Sequence, residues 1–224
     1  GLKFVGVPLT ATFELDEAAM LAALEAHQPA LLYIAYPNNP TANLFDDRIV
    51  ERLIEAAPGL VIIDEAYQPF ASRSYIDRLA RHEHVLLMRT MSKFGLAGVR
   101  IGYMMGAARL IAQIDKVRPP YNVSVLNAEA ALFALEHADE FARQAAVLRE
   151  ERARLIGVTP FPSEANMVLV RVPDADRAFA GLKQRGVLVK NVSRMHPLLA
   201  ACLRLTVGTP DENQRLIAAL RESL

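Results

Sequence analysis

The sequence predicts an α/β protein built on an open, mainly parallel sheet that carries its site at the carboxyl edge, followed by a smaller α+β region. Three observations predict this. Short apolar runs of strand length, Ala30–Ala35, Leu60–Ile63 and Val85–Met88, alternate with stretches of helical pattern. Polar residues gather just past the ends of those runs, where open α/β sheets place their ligands. Pro119-Pro120 then marks a change to longer helical stretches.

The elements are justified in order. Lys3–Pro8 reads as a short strand, and Asp16–His27 as a helix capped by Asp16 with Met20, Leu21 and Leu24 inward. Ala30–Ala35 is continuously apolar, as expected for a strand buried on both faces. A loop with two prolines feeds a helix over 46–57, which Pro58-Gly59 ends. Strands follow at Leu60–Ile63, closed by Asp64, then at Val85–Met88 and Arg100–Met105. Beyond the two prolines come helices over 124–137 and 138–155, a strand at Met167–Val172 and a helix from Asp174 to Arg185. Strands near Val187–Val189 and Leu203–Val207 precede a last helix, Pro210–Ser223. The expected division is 1–123 as part of a large domain and 124–224 as connecting helices and a small C-terminal domain.

Composition narrows the function. The 224 residues are 52% hydrophobic, and 25 basic residues balance 25 acidic ones. Such a chain supports a sizeable core, and it lacks the basic excess of a nucleic-acid binder. Arg143–Arg154, the densest basic stretch, is interleaved with Glu150 and Glu151 and reads as a solvated helix face with a Glu150–Arg154 pair. The single cysteine, Cys202, excludes an intrachain disulfide, and the five histidines lack ligand spacing, so no metal is expected. No apolar run approaches the roughly 18–20 residues that span a bilayer, and no signal peptide is visible, so the expected location is the cytoplasm.

The chemistry concentrates in Leu86–Tyr103. Lys93 closes an apolar run and opens a Gly-rich turn, with Ser92 before it and Arg100 seven residues on. A lysine so placed is suited to form a Schiff base with an aldehyde cofactor whose phosphate Ser92 and Arg100 hold. Asp64 at a strand end reads on its own as a turn residue or as the partner of a cofactor's pyridinium nitrogen. Tyr67 reads as a core aromatic or a cofactor ligand, and Asn38 and Asn39 as turn chemistry or amide donors.

Taken together, Tyr36-Pro37-Asn38-Asn39-Pro40-Thr41, Leu60–Tyr67 with its Asp64-Glu65-Ala66-Tyr67 ending, and Ser92-Lys93 with Arg100 resemble, in this order and spacing, the fold-type I pyridoxal-phosphate aminotransferases. The resemblance is strongest to the histidinol-phosphate aminotransferase branch. It implies the aspartate aminotransferase-like fold and pyridoxal 5'-phosphate as cofactor. It makes Lys93 the Schiff-base and proton-shuttling residue and Asp64 the partner of the ring nitrogen. Tyr67 and Asn39 become donors to the ring oxygen, and Thr90, Ser92 and Arg100 the phosphate ligands. Cys202–Gly208 resembles the family segment whose arginine grips the substrate's anionic group, which makes Arg204 the substrate anchor. Lys190 stands where relatives often have a second arginine, and Asn166 is read as structural.

The implied reaction is transamination between glutamate/2-oxoglutarate and a phosphorylated imidazole amino alcohol, histidinol phosphate, by a homodimer. The alternatives are a related decarboxylase of an amino-acid phosphate and a catalytically incomplete fragment. Two departures stand out. Ala42 replaces a usual glycine, at a cost of about 1 kcal/mol if that position needs positive φ. The family's phosphate loop, stacking aromatic and partner-reaching tyrosine have no counterpart here. On the order of a hundred N-terminal residues are therefore expected to be missing, and cofactor binding by residues 1–224 alone to be weak.

Overall fold

A computed structural model describes residues 1–155 and 161–224. They form two compact units: residues 1–37, 45–68 and 72–138 make the first, and 38–44, 69–71 and 139–224 the second.

The first unit is built on β1 (Leu31–Ala35), β2 (Leu60–Asp64), β3 (Val85–Thr90) and β4 (Gly102–Gly106), in the spatial order β1-β2-β3-β4. β1, β2 and β3 are parallel and β4 is antiparallel to β3. Alternation sorts their side chains. Leu32, Ile34, Val61, Ile63, Val85 and Leu87 share one face and are all buried. Leu31 and Tyr33 lie on the opposite face and are about half exposed (47% and 51%). β1 is thus covered on one face only, contrary to the expectation that its unbroken apolar run is buried on both. Gly59 lets β2 start tight against the chain before β1: a Cβ there would sit 2.3 Å from the Ala30 carbonyl oxygen.

The helices of this unit follow their caps. Asp16 accepts from the Ala19 amide to start α1 (Glu17–His27), where Leu24 is buried and Met20 and Leu21 partly so. Asp46 caps α2 (Asp47–Ala56), which buries Val50, Leu53 and Ile54. A four-residue helix, α3 (Met91–Phe94), follows β3 directly. α4 (Ala108–Asp115) follows β4, and Ser124 caps α5 (Val125–Glu136). Lys3–Pro8, expected as a strand, is irregular and mostly exposed, and no strand among the described residues takes its backbone hydrogen bonds. His82 and His84 lie outside any strand; their rings reach Glu51 and the Ile54 carbonyl.

The second unit holds most of α6 (Ala138–Leu155), an antiparallel sheet of β5 (Met167–Arg171), β7 (Cys202–Thr206) and β6 (Lys190–Asn191) in that order, and the helices α7 (Ala175–Gln184) and α8 (Pro210–Arg221). Val168, Val170, Leu182, Leu203, Leu205, Leu216 and Leu220 belong to its core. Asp174 caps α7, and Thr209 with Glu212 forms a capping box on α8. β6 begins at Lys190, past the expected Val187–Val189, because only Lys190 and Asn191 find partners on β7. Arg154 pairs with Glu151 instead of Glu150, and Glu151 is buried, where Asn213 also donates to it at 3.0 Å.

Candidate functional site

In the first unit the candidate residues gather where the parallel strands end. Asp64 closes β2, and Asp64 and Thr90 fall on the same face of the sheet, the face that also carries Tyr33. The Asp64 carboxylate is held at both oxygens. Oδ1 accepts from the Ala66 amide at 2.9 Å, and Oδ2 accepts from the Tyr33 hydroxyl. Partial burial first, and then the bond to Asp64, push the Tyr33 phenol well above the ordinary tyrosine range, so it remains a donor.

One strand over, Thr90 Oγ1 accepts from the Ser92 amide at 3.1 Å, which starts α3 and fixes the Ser92-Lys93 pair just beyond β3. The chain then turns through Gly95, at φ 139°, and a 3-10 turn at Ala97–Val99 into Arg100. Arg100 lies before β4, not within it as expected. Its φ is 52°, in the left-handed region, which costs a side-chain-bearing residue about 1 kcal/mol. That conformation brings Nη1 to 3.4 Å from Ser92 Oγ. Non-glycine residues held so concentrate at functional sites. Lys93 Nζ stands 5.6 Å from the centroid of the Tyr67 ring, which is buried. Neither Lys93 nor Arg100 has a carboxylate partner among the described residues. Two cations and two hydroxyls, all lacking an anion, therefore cluster one strand away from Asp64.

Behind this edge lies a group that the motifs did not single out. Glu65, next to Asp64 but on the opposite face, is buried and pairs with Arg89 at 2.9 Å, while the Ser74 hydroxyl and Tyr75 amide also donate to it. The pair ties the end of β2 to β3 one residue before Thr90. Tyr33 was also missed. Period-two alternation carries the signal for it: Ala35 is in register with Asp64, and Tyr33 shares its face.

In the second unit, β7 and β6 place Arg204 and Lys190 in direct register. Two like charges so opposed are unfavourable without an anion, and no carboxylate pairs with either among the described residues. Arg204 Nη1 donates to Asn39 Oδ1 at 2.9 Å, and its Nε is buried with no hydrogen-bond partner among the described residues. A buried guanidinium nitrogen left unpaired is costly and marks a place for an acceptor.

Asn39 sits in a loop bonded to itself. Asn38 Nδ2 donates to Thr41 Oγ1, which donates to Asn43 Oδ1, each at 2.6 Å. The Tyr36–Pro37 and Asn39–Pro40 peptides are cis. Ala42 lies at φ 67° and is fully buried, so this position does take the positive φ at which a side chain costs about 1 kcal/mol. Asn166 bonds through its backbone, accepting from the Val207 amide. A groove of about 330 Å³ bounded by Gly186, Leu188, Thr206, Glu212 and Arg215 includes neither Lys190 nor Arg204. Among the described residues no helix is long and apolar enough to cross a membrane, and no group of His, Cys, Asp and Glu is arranged to hold a metal.

A mainly parallel α/β sheet thus carries a lysine, a serine and an arginine beyond one strand and an aspartate closing the next. The chain belongs to the family described as aminotransferase class I and II, which it matches over residues 1–220. It is 75% identical to histidinol-phosphate aminotransferase of Methylibium petroleiphilum, over 99% of this chain and 62% of that protein. It is 66% identical to the enzyme of that name from Polaromonas naphthalenivorans, over 100% of this chain and 64% of the relative. The chain thus spans a little under two thirds of the length of these relatives.

Among solved structures, histidinol-phosphate aminotransferase of Sinorhizobium meliloti in complex with pyridoxal-5'-phosphate superposes with a TM-score of 0.81 at 30% identity, over 99% of this chain and 64% of that one. The Clostridium acetobutylicum protein of that name gives 0.87 at 20% identity, over 96% and 69%, a likeness of fold. The expected aspartate aminotransferase-like fold is borne out.

Proposed function

We propose that the chain serves pyridoxal-phosphate-dependent transamination between glutamate/2-oxoglutarate and histidinol phosphate/imidazole acetol phosphate, a reaction of histidine biosynthesis. One observation carries the reading: Lys93, Ser92 and Arg100, without counter-ions among the described residues, cluster beyond β3 one strand from Asp64. The 75% identity to a protein named for this reaction supports the substrate class.

The residues fit the group. A doubly charged phosphate requires hydroxyls and a cation, which Thr90, Ser92 and Arg100 supply. A ring nitrogen that must stay protonated requires a carboxylate, and Asp64 is one already held by two donors. An aldehyde requires an amine, and Lys93 has one without an acidic partner.

Pyridoxal phosphate, when bound, supplies an aldehyde that condenses with amines and a protonated ring that withdraws electrons from a substrate's Cα. Arg100 and Ser92 hold the phosphate end. Asp64 keeps the proton on the ring nitrogen. Tyr67, through its phenol, and Asn39, through the amide that Arg204 orients, donate to the ring oxygen. Lys93 Nζ would hold the aldehyde end of the cofactor and would serve as the base that moves a proton at the substrate's Cα. Arg204 binds the substrate carboxylate or phosphate through its planar fork, and Lys190 adds a point charge for the second anion.

In this reading residues 1–123 belong to a large cofactor-binding domain and 124–224 to connecting helices and a small domain. The enzyme works in the cytoplasm as a homodimer. Exposed apolar residues on α5, among them Val125, Leu126 and Phe133, support an association surface.

The test is chemical. Full-length protein loaded with pyridoxal phosphate and reduced with borohydride should carry the cofactor on the peptide containing Lys93. Lys93→Ala should abolish both the label and turnover of histidinol phosphate with 2-oxoglutarate. A label on another lysine, or normal turnover by Lys93→Ala, would overturn the reading.

A further inference from the structure

β1 brings to Asp64 a side chain to which no role has been assigned so far. Tyr33 is in register with Ile62, and Ala35 with Asp64, so Tyr33 stands one diagonal step from the aspartate on the same face. Neighbouring strands lie about 4.7–4.9 Å apart, so a residue one step along the next strand on the same face is within reach of an aromatic side chain. The phenol uses that reach: its hydroxyl donates to Asp64 Oδ2 while the Ala66 amide holds Oδ1 at 2.9 Å.

Two donors from two directions fix the plane of the carboxylate. An ionised carboxylate offers about four acceptor positions, so both oxygens can still receive another donor. Tyr33 is 51% exposed, so packing alone is a weak reason for a tyrosine here. The bond to Asp64 is the specific contact that a phenylalanine would lack.

We propose that Tyr33 is the positioning residue of Asp64, holding its carboxylate oriented in advance for the protonated ring nitrogen of the cofactor. The proposal rests on the pyridoxal-phosphate reading above. Preorganised partners of this kind are effective because they need no reorganisation when the charge arrives.

The experiment is a double-mutant cycle on cofactor affinity in the full-length protein, with Tyr33→Phe, Asp64→Asn and the double variant titrated with pyridoxal phosphate. Tyr33→Phe should weaken binding about tenfold in the wild-type background, the scale of one hydrogen bond to a charged group. It should weaken binding less than about twofold in the Asp64→Asn background, where the charged acceptor is gone. An equal loss in both backgrounds, or no loss at all, overturns the proposal.

If Asp64→Asn binds too weakly to close the cycle, the Asp64 carboxyl carbon resonance of the cofactor-free protein decides. A shift on Tyr33→Phe supports the proposal, and an unchanged resonance refutes it. Wild-type protein that fails to bind pyridoxal phosphate overturns the functional reading, and this inference with it. Wild-type binding with an uncoupled Tyr33 overturns this inference alone.

Discussion

Arg89→Met isolates the electrostatics behind the site. Glu65 is 1% exposed, and its carboxylate takes Arg89 Nε at 3.0 Å and Nη2 at 2.9 Å, the Ser74 hydroxyl at 3.0 Å and the Tyr75 amide at 2.5 Å. Methionine keeps much of the apolar stem of Arg89 but removes the only cation paired with Glu65 among the described residues. At this separation, with an effective dielectric constant near 20, the pair's attraction is about 6 kcal/mol, which bounds the effect from above. Leaving a buried carboxylate with neutral donors alone costs about 3–5 kcal/mol.

The loss should appear in urea unfolding as a lower midpoint, and in a thermal scan as a drop of roughly 2–4 °C per kcal/mol for a chain of this size. Glu65→Gln combined with Arg89→Met removes both charges and should recover most of the loss, since a neutral amide is far cheaper to bury. A single-variant cost under about 1 kcal/mol, or a double variant no more stable than Arg89→Met, would refute the reasoning.

Three further outcomes are expected. Asp64→Asn should lower kcat by roughly a hundredfold or more, the scale of losing one preorganised charge partner, while leaving the urea midpoint close to wild type; near-normal turnover would end the ring-nitrogen role. Arg204→Lys should raise KM for both glutamate and histidinol phosphate if, as proposed, the two take turns at this anchor; a change confined to one substrate would shift the other anion to Lys190. Asp47 lies below the ordinary carboxylate range because the Tyr36 hydroxyl and the Arg78 and Arg73 guanidinia outweigh the upward push of burial. A folded pKa below the unfolded one gives stability that is present above about pH 4 and lost as pH falls through the folded value. Asp47→Asn should therefore destabilise at neutral pH and converge with wild type in acid, and a gap that persists at low pH would show that the charge is not responsible.

The parallel strands and helix starts were legible because their causes are local. Apolar runs of strand length, and an Asp16 or Asp174 at a helix start, each declare themselves within a few residues. Lys3–Pro8 misled because a segment becomes a strand only beside a partner, and none among the described residues pairs with it. β6 moved to Lys190 for the same reason, its limits being set by β7.

Among the candidate site residues, Ser92 and Arg100 were placed together by spacing, and the structure brings them to 3.4 Å. The left-handed backbone of Arg100 that achieves this was not readable, since arginine gives no sign of positive φ. Nor was the contact between Arg204 and Asn39, 165 residues apart, or the Tyr33 hydroxyl on Asp64. Such contacts come from topology and leave no local signature.

The neighbouring acids Asp64 and Glu65 face opposite sides of the sheet, one toward the candidate site and one into the scaffold. Their different roles depend on nothing but the parity of a strand. Sliding β2 by a single residue against β3 would exchange them, aiming the scaffold acid at the site and leaving Arg89 opposite the wrong partner. The apolar run Leu60–Ile63 resists such a slip only weakly, because every residue in it is apolar. The two carboxylates thus act as a register key, and a one-residue insertion or deletion in this strand would be tolerated far less well than any substitution within it.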